Sequence, residues 1–191
     1  VEQGIFFPEV SVKQGYIYSI VYVPFYALGK MIQPLFEPMP AGWIERKCMC
    51  WMNTVITALT LGLLSLTVRR MGYSVLAQTL VPLFYGFTTL AFCYARYDYN
   101  KCLAAFLLLM GFYGYLLSLE KKNVGALVAG IVLGLLIALR FEMIVIAPVL
   151  AYGILFVPTV SKEWKSWFRF LLPMGLGILW VFFYNFLYWD S

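Results

Sequence analysis

The sequence predicts an all-α protein, a polytopic transmembrane bundle of about six spanning helices joined to an interfacial juxtamembrane helix over 15–32. Three observations carry that reading. The chain is 63% hydrophobic and only 12% charged, against about 45–50% and 25% in an ordinary soluble domain. Long apolar runs alternate with short polar pieces. The basic residues collect on alternate connections, as membrane topology demands.

Residues 1–14 are mixed and polar and read as a loop carrying Glu2, Glu9 and Lys13. In 15–32, Tyr18, Tyr22, Tyr26 and Lys30 recur every four residues, so one helical face carries them. Pro24 is expected to kink this helix. Tyrosines favour the headgroup level, so the segment is expected to lie in or dip into the interface. Residues 33–47, with Pro34, Pro38 and Pro40 before Glu45-Arg46-Lys47, read as a loop. Together 1–47 form an extracytoplasmic loop and juxtamembrane helix, and 48–191 the bundle of a single transmembrane domain.

The spans are expected at 48–68, ending in Arg69-Arg70, and at 72–95, with a kink at Pro82. Between 95 and 102 lies a polar island, Arg96-Tyr97-Asp98-Tyr99-Asn100-Lys101. The third span covers 102–119 and the fourth 124–139, where Gly130 and Gly134 form a small-xxx-small step that allows close helix contact. Arg140-Phe141-Glu142 ends it. The fifth span is expected at 143–158. Residues 161–169 alternate charge with Trp and Phe, as an interfacial segment would, and the sixth span is expected at 170–188.

Alternating spans divide the charges unevenly. One side holds seven basic and two acidic residues, among them Arg69, Arg70, Lys121, Lys122 and Arg169. The other holds seven of each sign. The positive-inside rule makes the first side cytoplasmic. The net charge of +5 is therefore a mark of topology and not of nucleic-acid binding. Localisation follows as a multi-pass cell-membrane protein with its working face extracytoplasmic.

The chain contains no histidine, which removes the commonest general base and transition-metal ligand. Cys48-x-Cys50 lacks a second pair, so a zinc site is not expected. Cys93 and Cys102 bracket the island, either as a disulfide or as two buried thiols. The cofactor is undetermined, with a divalent metal left open.

Charge inside a membrane is costly, about 2.5–3.5 kcal/mol per Arg, Lys or Asp at a helix centre, so the island belongs at an edge or in a wet cavity. With the 140–142 turn and the end around Tyr184, Asn185 and Asp190, it is expected to gather at one rim. Carboxylates there, Asp98 and Glu142, can take an acceptor's proton. Arg96, Lys101 and Arg140 can bind a phosphate. Tyr18, Tyr22 and Tyr26 would border the route by which a lipid or acceptor arrives. The plainer readings are local charge pairing for Asp98 and for Arg140–Glu142, and an aromatic belt for the tyrosines.

Several stretches resemble one family in order along the chain: Tyr18 to Gly29, Asn53 to Arg70, Phe92 to Ala104, Gly130-x3-Gly134-x5-Arg140-x-Glu142, and Tyr184 to Ser191. They resemble the GT-C membrane glycosyltransferases, in the protein-mannosyltransferase-like branch with the aminoarabinose-transferase and Rgt-type enzymes. The resemblance implies inverting transfer of a sugar from a polyprenyl-phosphate donor on the extracytoplasmic face. It implies that Asp98, at the family's second acidic position, positions the acceptor or a metal, and that Arg96, Lys101 and Arg140 hold the lipid phosphate. The family's first helix and first acidic loop have no counterpart here beyond Glu9, so a longer parent chain is expected. Its partners would be a lipid-linked sugar, membrane lipid and an acceptor. Two rival expectations are a non-catalytic scaffold subunit, docking other membrane proteins along 124–139, and a transporter, which would need mid-bilayer polar residues such as Asn53 and Gln78.

Overall fold

A computed structural model describes residues 16–36, 40, 42–95, 100–120, 123–149, 152 and 164–189. Every element among them is helical: α1 (Tyr16–Ile32), a 3-10 turn (Gln33–Phe36), α2 (Trp43–Arg70), α3 (Val75–Thr88), α4 (Leu90–Ala95), α5 (Lys101–Leu119), α6 (Asn123–Leu139), a second 3-10 turn (Phe141–Ile146) and α7 (Trp164–Trp189). They pack as two units, Val1–Phe106 and Leu107–Ser191. Three helices, α2, α5 and α7, are long and apolar enough to cross a membrane, and α3 and α6 are shorter apolar helices.

The first unit is built on α2. At 28 residues this helix is about 42 Å long. It starts earlier than the expected span, at Trp43, so Glu45, Arg46 and Lys47 stand in its first turns and not in a loop. Glu45 there complements the positive end of the helix dipole, as Arg69 and Arg70 complement the negative end. Ile44, Cys48, Met52, Ile56 and Thr60 are buried at every fourth position, one stripe along the helix.

Helix α1 packs antiparallel on α2: Tyr18 reaches Asn53, while Gly29 meets Glu45 and Cys48. A Cβ at Gly29 would lie 2.5 Å from the Glu45 Cα, so only glycine lets these backbones touch. Tyr18 and Tyr22 are buried at 0% and 7% exposure, whereas Tyr26 is exposed.

After Arg70 the chain turns on Gly72, which adopts a φ of 82°. Its N–H donates to the Arg69 carbonyl and that of Tyr73 to Val68, a Schellman turn whose left-handed position favours glycine. Ser74 then caps α3, its Oγ accepting from the Ala77 N–H. The expected span 72–95 is two helices. The interruption falls at Thr89, beyond Pro82, which sits inside α3. Thr89 is extended, with φ −107° and ψ 174°, and its Oγ1 accepts from the Ala91 N–H to cap α4. A threonine at that point starts a new helix as readily as it ends the old one.

In the second unit, Gly114 faces Gly125 and Ala129, and Gly111 faces Val132 and Leu133, so α5 and α6 run antiparallel. Gly130 meets the Phe170 backbone, and Gly134 meets Pro173 and Gly177. Those contacts advance together along both chains, so α6 and α7 run parallel. Helix α7 continues without a break from Trp164, so the stretch 164–169 belongs to it and is not a separate interfacial piece. The expected fifth span opens as the 3-10 turn Phe141–Ile146; most of its remainder lies outside the described residues, as do residues 1–15.

Candidate functional site

The polar features of the first unit meet at one turn of α2, residues 53–57. Asn53 is 1% exposed. Its Nδ2 donates to the Tyr18 hydroxyl at 3.2 Å, and the Tyr22 hydroxyl donates to the same oxygen at 3.0 Å. The two rings pack edge to face, with centroids 4.8 Å apart. One residue on, the Thr54 hydroxyl donates to the Ala95 carbonyl at 3.0 Å, fixing the end of α4. Asn100, a residue type favoured before a helix, gives its carbonyl to the Ala104 N–H and opens α5.

A cavity of about 780 Å³ opens beside this turn. Its walls come from α2 (Thr57, Thr60), from α3 and α4 (including Tyr85, Thr88, Phe92 and Tyr94) and from α5 (Lys101, Cys102, Ala105). That volume lies in the range of small-molecule sites, about 300–1,000 Å³. Lys101 supplies the positive charge. Its Nζ donates to the Tyr94 hydroxyl at 3.0 Å and lies 4.6 Å from that ring's centroid. Thr60, Thr88 and Thr89 donate to carbonyls four residues back, so each oxygen can only accept from whatever enters. The charge the described lining offers is the Lys101 ammonium, which suits an anion better than a divalent cation. Among the described residues no group of three or more His, Cys, Asp or Glu stands together.

The expected site residues fall into three sets. Arg96 and Asp98 lie outside the described residues, as do Asp190 and the side chain of Asn185. Lys101 lines the cavity of the first unit. Arg140 and Glu142 belong to the second unit, where they form an ion pair. Between them Phe141 packs on Phe182 of α7 at 6.3 Å, so this turn does approach the stretch that carries Tyr184. Tyr18 and Tyr22 are buried, the Tyr18 hydroxyl held by Asn53 and the Tyr22 hydroxyl donating to Tyr18, whereas Tyr26 of the same set is exposed. All four cysteines are unbridged; Cys93 is exposed and Cys102 buried.

Sequence reasoning missed Thr54, Thr57, Thr60 and Tyr85. A signal was present: Asn53, Thr57 and Thr60 recur at helical spacing on one face of an apolar span. Comparison with protein-family models, curated proteins and solved structures finds no match to this chain.

Proposed function

We propose that this chain is an integral-membrane glycosyltransferase that moves a sugar from a polyprenyl-phosphate donor to an acceptor on the extracytoplasmic face of the cell membrane. The observation that carries the reading is the cavity beside residues 53–57, apolar over most of its wall and holding the Lys101 ammonium. An amphiphile with one anionic phosphate and a long hydrocarbon tail fits that chemistry. The phosphate meets Lys101, and the tail leaves along exposed apolar residues such as Phe87, Leu90 and Phe92.

In the reaction the acceptor hydroxyl oxygen attacks the anomeric carbon. The bond from that carbon to the phosphate oxygen breaks, and the electron pair leaves with the phosphate. Lys101, with Arg96 close by in sequence, stabilises that charge. Asp98 takes the acceptor's proton. In the second unit, Arg140 and Glu142 are assigned the same two kinds of work, cation for phosphate and carboxylate for a proton. The parallel course of α6 and α7 supports a chain that crosses back between them, and with it the six-span topology. The glycine face of α6 packs on α5 and α7 of the same chain, while Val124, Leu127, Ile131 and Leu135 of that helix are exposed.

The test is sugar transfer from a polyprenyl-phosphate-linked donor by the full chain in membranes. Asp98→Asn is expected to lower kcat about 100-fold or more. Lys101→Ala is expected to raise KM for the donor about tenfold, the loss of one charge-assisted contact. Transfer at the parental rate by both variants would remove the island from the mechanism.

A further inference from the structure

Lys101 is the first residue of α5, and it is exposed. A lysine carries its charge on a flexible four-carbon stem, and near a helix end in a membrane such a stem swings toward the headgroups. Lys101 is instead tethered. Its Nζ donates to the Tyr94 hydroxyl at 3.0 Å and stands 4.6 Å from that ring's centroid. Both residues line the cavity. Tyr94 in turn sits on a fixed base. It belongs to α4, a helix of six residues that is held at both ends. At the start, the Thr89 Oγ1 accepts from the Ala91 N–H. At the finish, the carbonyl of buried Ala95 accepts from the Thr54 hydroxyl of α2 at 3.0 Å. A tyrosine side chain turns about two bonds only, so the hydroxyl that meets the ammonium inherits the position of α4.

We propose that Tyr94 is a positioning residue, which holds the Lys101 ammonium on the cavity wall where the phosphate of a bound isoprenoid lipid meets it. The assignment rests on the glycosyltransferase reading for what is bound, and on the Tyr94 contact alone for what holds the lysine. An ammonium has three donors, and Tyr94 takes one. A cation placed before the ligand arrives loses little further side-chain entropy on binding. Placement also sorts ligands by charge. A lipid phosphate gains a charge-assisted hydrogen bond from the placed cation, and a neutral lipid alcohol with the same tail does not. Loss of the Tyr94 hydroxyl should therefore weaken binding of the phosphate and leave binding of the alcohol as it was.

The experiment uses the full chain in native membranes, with labelling of single peptides read by mass spectrometry. The first arm needs no ligand and follows acylation of Lys101 by an amine-reactive ester. Tyr94→Phe keeps the ring and removes the acceptor. It should speed acylation of Lys101 about threefold or more, the factor for losing one interhelical hydrogen bond in a membrane protein. Lys30, exposed near the end of α1, should react at the parental rate in both proteins. In the second arm a small neutral maleimide labels Cys93, which is exposed on the cavity wall, and undecaprenyl phosphate is titrated as the protecting ligand. Tyr94→Phe should raise the half-protecting concentration about threefold or more. It should raise nothing when Lys101 is already Lys101→Met, and half-protection by undecaprenol should stay at the parental value. A tyrosine that only shaped the wall would lose both lipids alike, with or without the lysine. Parental acylation of Lys101 in Tyr94→Phe overturns the proposal. So does unchanged half-protection by undecaprenyl phosphate, an equal loss for the phosphate and the alcohol, or a loss that persists in Lys101→Met. Failure of undecaprenyl phosphate to protect Cys93 in the parent protein counts against the donor reading instead, and the acylation rates then decide by themselves whether Tyr94 holds Lys101.

Discussion

The two units hold their helices together by different means. In the first, side chains span the gaps: Asn53 to Tyr18 and Thr54 to Ala95. In the second, backbone lies on backbone. Gly125 sits against Ser118 and Gly114, Gly130 against Phe170, and Gly177 against Gly134. Lipid tails are as apolar as leucine, so burying apolar surface drives helix association only weakly in a membrane. Close van der Waals contact and interhelical hydrogen bonds remain; the second unit is built on the first of these, and the first unit adds the second to its own backbone contact at Gly29. Glycine contact gives many small attractions and no adjustable group. A hydroxyl bridge gives one directed bond and leaves room beside it. The cavity is found where the bridges are.

The comparison breaks most visibly at the glycines. A Cβ at Gly130 or Gly134 would overlap backbone atoms of α7, which cannot rotate aside as a side-chain end can. Gly130→Leu is expected to force α6 and α7 apart and cost about 3 kcal/mol or more, the upper part of the usual range for overpacking. Unfolding in mixed micelles, followed by fluorescence of the Trp residues in α7, would measure it. A cost under about 1 kcal/mol would mean that the second unit is not built on backbone contact. Gly62 makes a control, because a Cβ there meets nothing within 4 Å.

A smaller effect is expected at the buried network of the first unit. Asn53→Leu leaves the Tyr18 and Tyr22 hydroxyls to satisfy each other, and it removes the bond that ties α1 to α2. Interhelical hydrogen bonds of this kind contribute about 0.6–2 kcal/mol in membrane proteins. A double-mutant cycle of Asn53→Leu with Tyr18→Phe isolates the term. Its coupling should fall in that range, and a value near zero would show that packing, not hydrogen bonding, holds α1.

How much of this was legible follows the same division. Apolar runs announced the helices, and Gly130 with Gly134 announced a close approach, because small residues at that spacing on an apolar helix have few other uses. Arg69-Arg70 marked the end of the first span, but the left-handed Gly72 that makes the turn was not singled out. The break at Thr89 was not legible. Proline is the stronger breaker by rule, yet Pro82 is carried inside α3, while Thr89 ends one helix and caps the next with the same side chain. The start of α2 was missed because Glu45-Arg46-Lys47 looks too charged for a spanning helix, although a long helix can project past the lipid. In the site, the charges drew attention and the threonines did not. A threonine's partner depends on which segment folds beside it, and no spacing within α2 tells that Thr54 will meet Ala95. Lys101 was legible from its charge alone; its place on Tyr94 was not.

The smallest expected effect sharpens the contrast from the other side. Arg140 and Glu142 form the ion pair of the second unit, next to a helix end that the extended Arg140 terminates at φ −146°. Their side chains are 27% and 63% exposed. At that exposure, water and salt screen most of the attraction, and such pairs contribute about 0–1 kcal/mol. The two residues are also sequence neighbours within one turn, so their pairing joins no separate elements. Arg140→Gln should therefore change the unfolding free energy by about 0.5 kcal/mol or less, and added salt should shrink even that. Phe141→Ala, which removes the ring packed on Phe182, should cost more than Arg140→Gln despite touching no charge. If Arg140→Gln proved the more damaging of the two, and still so at high salt, the pair would be holding structure in the second unit as Asn53 and Thr54 hold it in the first. The division between backbone-packed and side-chain-bridged halves would then fail.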